Sequence, residues 1–175
     1  MNITMKKKLI VTSLLAASVF ASAANAGVIK VSGSIAASPC VIKSTSATQN
    51  VTMPAIFESD FSKLSTGGVI DKSAKSIKFE LETCPSLASN AVVTFLGTSA
   101  GDAFSLGSTV KGVALKLFDN KDAEVKISNG AATSTTALGT QKDQTLEYKL
   151  KYVKTADKFV EGAVDTTINF DIAYN

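Results

Sequence analysis

Apolar and polar side chains alternate with a period of two along most of this chain, and that alternation confines it to β-strands before anything else is considered. In "SIKFELETC" (76–84), Ile77, Phe79 and Leu81 fall on one side and Lys78, Glu80 and Glu82 on the other, the pattern of a strand with one buried face. The same reading predicts strands at 29–35, 49–53, 91–97, 112–119, 123–128, 144–153 and 166–175. Gly, Ser, Asn and Asp clusters at 97–102, 119–122, 128–132 and 139–143 separate them as turns. Eight short strands without a convincing helix imply an all-β, antiparallel sandwich. Only "AIFESDFSKL" (55–64) has helix-like spacing, at Phe57, Phe61 and Leu64. A loop that tucks aromatics onto the core is the preferred reading there.

The first 26 residues stand apart. Lys6, Lys7 and Lys8 precede an apolar run from Leu9 to Phe20, and the small-residue stretch "ASAANA" follows. This is the layout of a cleavable secretory signal, and an apolar run of about 12 residues is short of the ~20 that a spanning helix needs. Residues 27–175 then form one domain. The leader holds three of the 18 basic residues and none of the 15 acidic ones, so the remainder carries 15 of each and is formally neutral. A neutral chain with scattered lysines and no arginine lacks the footprint of a nucleic-acid binder.

Catalysis finds little to work with. The sequence contains no histidine, the usual base for a Ser or Cys nucleophile, and no lysine sits in a recognisable catalytic motif. Glu80 and Glu82 lie on the polar side of their strand. The "GTSAG" run lacks the Gly-Lys-Ser/Thr ending of a phosphate loop. Tyr148 and Tyr152 alternate with Leu146 and Leu150, which is core-face spacing and not a stacking platform. No enzyme, no cofactor and no metal site is expected. Cys40 and Cys84, an even pair in an exported chain, favour one disulfide over two separate thiols or half of a metal site.

The last predicted strand reads I-x-F-x-I-x-Y-N, with Ile168, Phe170, Ile172 and Tyr174 on one face. Together with four other marks it resembles the type 1 pilin-like, chaperone–usher fimbrial subunit family. Those marks are Gly33 seven positions before Cys40, the second cysteine in "LETCP", the "AVVTFLGT" strand, and Gly162 fourteenth from the end with Tyr174 penultimate. The resemblance covers essentially all of 27–175. It implies an immunoglobulin-like sandwich that lacks its last strand and is completed by a donor strand, a form of β-augmentation. It further implies a Cys40–Cys84 disulfide, and a groove and chaperone-contacting strand carrying Gly162, Ile168, Phe170, Ile172 and Tyr174. The implied partners are a periplasmic chaperone, an outer-membrane usher, neighbouring subunits of a homopolymer and a host receptor. The implied location is a fimbria on the cell surface, where the chain serves adhesion as a structural subunit.

The N-terminal region departs from that pattern. Val28, Ile29, Val31, Gly33 and Ile35 are the candidate donor residues, yet Ile29 to Ile35 also align with the domain's own first strand. Cleavage after Ala26 leaves only Gly27 and Val28 ahead of it, where a donor needs roughly ten residues. Cleavage after Ala23 adds three residues and cleavage after Ser18 adds more. Alternatively "GVIKVSG" itself donates, or the chain is a minor or terminal subunit that accepts a strand without giving one.

Overall fold

The computed structural model describes Lys30, Ser32, residues 39–86 and residues 90–175. The leader and the predicted strand at 29–35, with Val28, Ile29, Val31, Gly33 and Ile35, lie outside the described residues. All the described strands belong to the compact unit Ala36–Asn175.

Two antiparallel sheets enclose one core. The strands are β1 (Val41–Ile42), β2 (Val69–Glu82), β3 (Asn90–Leu96), β4 (Ser99–Ala100), β5 (Ala103–Phe104), β6 (Val113–Asp119), β7 (Glu124–Val125), β8 (Ile127–Ser128), β9 (Ala131–Ala137), β10 (Gln144–Lys154) and β11 (Asn169–Tyr174). The first sheet runs β1-β2-β10-β6-β5-β4, with β7 also paired to β6; the second runs β11-β3-β9-β8. Their inner faces carry the alternate apolar residues expected: Ile77, Phe79 and Leu81 from β2, Leu146, Tyr148, Leu150 and Tyr152 from β10, and Ala91, Val93 and Phe95 from β3 are all buried. Four aromatics lock the sheets together. Phe79 packs on Phe170 at 4.4 Å between ring centres and on Phe95 at 6.0 Å, and Phe95 meets Tyr148 edge-on at 5.0 Å.

The structure corrects several expected boundaries. "AEVKIS" is not one strand but two: β7 pairs with β6 in the first sheet and β8 with β9 in the second, so the chain changes sheets at Lys126. β9 lies outside the sequence expectation, because "AATSTTA" buries only Ala132 and offers no apolar alternation. Its β-branched threonines and its register against β3 make it a strand. The turn expected at 97–102 instead contributes to the small β4–β5 hairpin, which pairs Ser99 with Phe104 and Ala100 with Ala103. Residues 49–53 form no strand. Within 55–64, one helical turn, α2 (Glu58–Phe61), places Phe61 in the core and leaves Phe57 exposed.

β2 also starts at Val69, seven residues before the expected strand. Against β10 its register slips between the Lys75–Leu150 and Ile70–Tyr152 pairs, so extra residues of β2 bulge out of the ladder. Ser73, fully buried, fills the break: its Oγ donates to the Ile70 carbonyl at 2.6 Å and accepts from the Tyr152 N–H at 2.7 Å. Ser73→Ala strands both backbone groups in the core and is expected to cost about 1–3 kcal/mol. Urea denaturation measures it, and an unchanged midpoint would count against Ser73 as the filler of the bulge.

Candidate functional site

Among the described residues, the sandwich is open along one side. β11 pairs with β3 on one edge, and among the described residues it has no strand neighbour on the other. That edge therefore presents unpaired N–H and C=O groups, a template for another chain. Beside it lies a cleft of about 650 Å³. Its floor is core: Ile77, Phe79, Phe95, Leu115, Leu117 and Leu150. One rim is residues 164–170 at the start of β11, and the other is residues 47–53.

The second rim lies where it does because side chains have replaced a strand. After β1, Lys43 N–H donates to the Glu80 carbonyl at 2.9 Å, and the helical turn α1 (Ser44–Ala47) follows. Ser46 Oγ accepts from the Glu80 N–H at 3.1 Å, while the Gln49 amide bonds both the carbonyl of Lys78, at 3.0 Å, and its N–H, at 3.4 Å. These contacts cover the β2 edge and release residues 50–53 from the sheet. The sequence reading of 49–53 as a strand is thus corrected: its backbone runs along the cleft with no strand partner among the described residues. Each rim of about seven residues spans roughly 20 Å if extended, a length that suits a strand better than a compact ligand.

The C-terminal residues singled out from the sequence share the predicted face. Ile168, Phe170, Ile172 and Tyr174 are partly buried and pack against the core. Ile168 and Phe170 also line the cleft, whereas Ile172 and Tyr174 lie further along β11. Gly162 sits outside β11, in the segment 155–168 that crosses from β10 to β11. There a Cβ would stand 2.8 Å from Thr109 Oγ1. Cys40 and Cys84 form a buried disulfide that ties the chain ahead of β1 to the β2–β3 connection. The sequence reading missed the rim residues Gln49 and Ser46, because a lone polar side chain gives no sign that it will stand in for a strand.

Charge is concentrated on the outer face of the first sheet. Lys116 on β6 is buried and held by Asp102 and Glu124, each at 2.8 Å. Burial alone would lower its pKa, but the two carboxylates outweigh that and raise it. Lys151 lies 4.8 Å from the centre of the Phe118 ring and pairs with Asp71 and Asp122. Hydrogen bonds from Lys72 to Asp60, from Lys116 to Asp102, and from Lys149 then Lys151 to Asp122 hold these carboxyls below their usual 3.8. Burial pushes the Tyr152 and Tyr174 hydroxyls above their usual 10.0.

The signs fix a pH profile. The depressed carboxylates contribute stability that is present above about 4, their unfolded value, and is lost as pH falls through the folded values. The raised tyrosines contribute stability that is present below about 10 and is lost as pH rises through their folded values. Denaturation midpoints across pH should therefore fall at both ends, and Asp122→Asn should flatten the acid limb; an acid limb identical in that variant would remove Asp122 from the account.

Nothing in this site supplies a nucleophile with its base, and among the described residues no cluster of Cys, Asp and Glu could hold a metal. What it offers is an apolar trough beside an open main-chain edge. Comparison with known proteins fits that geometry. Residues 29–175 match the family described as Fimbrial protein. The chain is 30% identical over 185 residues to Long polar fimbria protein A of Salmonella typhimurium LT2, and 30% identical over 186 residues to the Probable major fimbrial subunit LpfA of Escherichia coli O157:H7, with 99% of each chain covered in both cases. Its fold is similar to that of the P pilus rod subunit PapA, with a TM-score of 0.63 and 20% identity across 79% of this chain and 100% of that one. It is also similar to a type I fimbria protein of Burkholderia pseudomallei, with a TM-score of 0.55 and 26% identity over 78% and 90% of the two chains. The chain belongs to the family of fimbrial proteins, structural subunits and not enzymes, which are exported to fimbriae on the cell surface.

Proposed function

We propose that this chain is a repeating subunit of a chaperone–usher fimbria and that its cleft receives a strand from another protein. The observation that supports this is the cleft itself, where an apolar floor lies between the free edge of β11 and the segment 47–53, neither of which has a further strand partner among the described residues. An inserted strand would satisfy the main-chain groups of both rims while its alternate side chains cover Phe79, Leu117 and Leu150. Ile168, Phe170, Ile172 and Tyr174 hold the acceptor edge. A periplasmic chaperone occupies the cleft first and the neighbouring subunit replaces it at the usher. Residues 1–26 act as a secretory leader, and Val28, Ile29, Val31, Gly33 and Ile35 form the strand given to the next subunit. The name of the E. coli relative, a probable major subunit, favours repeated use along the fibre.

The test is complementation. A ten-residue peptide of alternating apolar residues, added at 100 times its Kd, should stabilise the isolated protein by about 2.7 kcal/mol. A melting temperature that no such peptide moves overturns the proposal. Mass spectrometry of the exported protein defines its N-terminus and hence the length of the donor.

A further inference from the structure

The rim of the cleft at 164–168 is the end of the crossing segment 155–168, and that segment rests on the loop 105–112. Hydrogen bonds join them: Lys111 and Val160 exchange N–H and C=O at 3.2 and 3.0 Å, Asp165 N–H donates to the Leu106 carbonyl at 3.1 Å, and Thr109 Oγ1 donates to the Ala163 carbonyl at 3.3 Å. Three glycines allow the approach. A Cβ on Gly112 would lie 2.7 Å from Phe159 Cα, one on Gly107 would lie 2.9 Å from the Asp165 carbonyl oxygen, and one on Gly162 would lie 2.8 Å from Thr109 Oγ1. The first two would strike backbone, which cannot rotate away. Gly107 and Gly112 also adopt φ of +113° and +80°, a region open to glycine and strained for other residues.

We infer that Gly107, Gly112 and Gly162 are positioning residues for strand capture: they seat the crossing segment against the 105–112 loop and so set the height of the 164–168 rim above the cleft. Asp165 links the loop to the cleft, because its carbonyl rests on Gly107 and the residue itself lines the cleft. A rim held in place before the strand arrives lowers the ordering cost of binding. The inference rests on the reading of the cleft as a strand acceptor.

Gly67 supplies the control. Its φ is +83°, and a Cβ there would meet nothing within 4 Å, so Gly67→Ala introduces backbone strain without pushing on the crossing segment. Binding is measured by fluorescence anisotropy on the folded full domain, with two labelled probes: a ten-residue alternating valine–threonine peptide and a peptide of residues 27–36. Gly107→Ala is expected to weaken capture by about tenfold or more, and Gly67→Ala to leave it at the wild-type level. If Gly107→Ala fails to fold, Gly162→Ala takes its place, since its φ is not in the strained region and its clash is with an exposed side chain. Capture by Gly162→Ala should be reduced and then restored in the Gly162→Ala/Thr109→Gly double variant. Equal capture by wild type, Gly107→Ala and Gly162→Ala overturns the inference while leaving the acceptor reading intact. Equal loss in Gly67→Ala and Gly107→Ala overturns it as well, by assigning the effect to strain. Failure of the wild-type domain to bind either peptide overturns the acceptor reading and this inference together.

Discussion

Loss of the Cys40–Cys84 bond is expected to lower the stability of the domain by about 4 kcal/mol, the chain-entropy estimate for a loop of this length. The bond closes a loop across 44 positions, and that loop contains β1, both helical turns and the cleft rim at 47–53. Among the described residues these parts have little strand pairing of their own. Without the bond, segment 39–53 is held chiefly by two β1 register pairs and by the Ser46 and Gln49 side chains. Cys40→Ala/Cys84→Ala should therefore shift the urea midpoint strongly and should loosen the 47–53 rim first, which amide exchange at Gln49 to Met53 reports. A midpoint within experimental error of wild type would show that the segment is anchored by other means.

Phe79→Ala is the second large effect. Phe79 is 2% exposed, touches Phe95, Tyr148 and Phe170, and forms part of the cleft floor. Truncating a buried phenylalanine costs about 3–5 kcal/mol. Because the new space opens onto the cleft, water can enter it, and the lower part of that range is expected. The same substitution removes floor area that a seated strand would cover, so peptide capture should weaken in step with stability. Tyr148→Phe gives the contrast. Its buried hydroxyl has no hydrogen-bond partner among the described residues, so removing that oxygen is expected to be neutral or stabilising. Two chemical denaturation curves distinguish these outcomes; a Phe79→Ala loss below about 1 kcal/mol would remove Phe79 from the centre of the core.

Where the alternation is strong, sequence and structure agree closely. β3, β6 and β10 fall within two residues of their expected limits, and the core face expected for 144–153, Leu146, Tyr148, Leu150 and Tyr152, is buried. β11 is legible for the same reason: Ile168, Phe170, Ile172 and Tyr174 share one face because strand geometry leaves them no choice. Three features were not legible. β9 is a strand because β3 needs a partner, not because its own residues alternate. The sheet change at Lys126 arises because Val125 and Ile127 are both buried, each on a different sheet's ladder. The coil at 49–53 has the pattern of a strand and has no strand neighbour among the described residues.

That last case divides what each level decided. Period-two patterning, the layout expected of a secretory leader, a neutral balance of charge and one pair of cysteines were enough to point to an exported all-β domain. These are properties of the chain read in order, without reference to which segments meet in space. The cleft is different in kind. Among the described residues, β11 and the 47–53 segment, more than a hundred residues apart in the chain, flank it with no strand between them. A missing hydrogen-bond partner is a property of three-dimensional placement alone. So too is the close approach of the crossing segment to the 105–112 loop, where Phe159 backbone lies against Gly112 and the Asp165 carbonyl against Gly107.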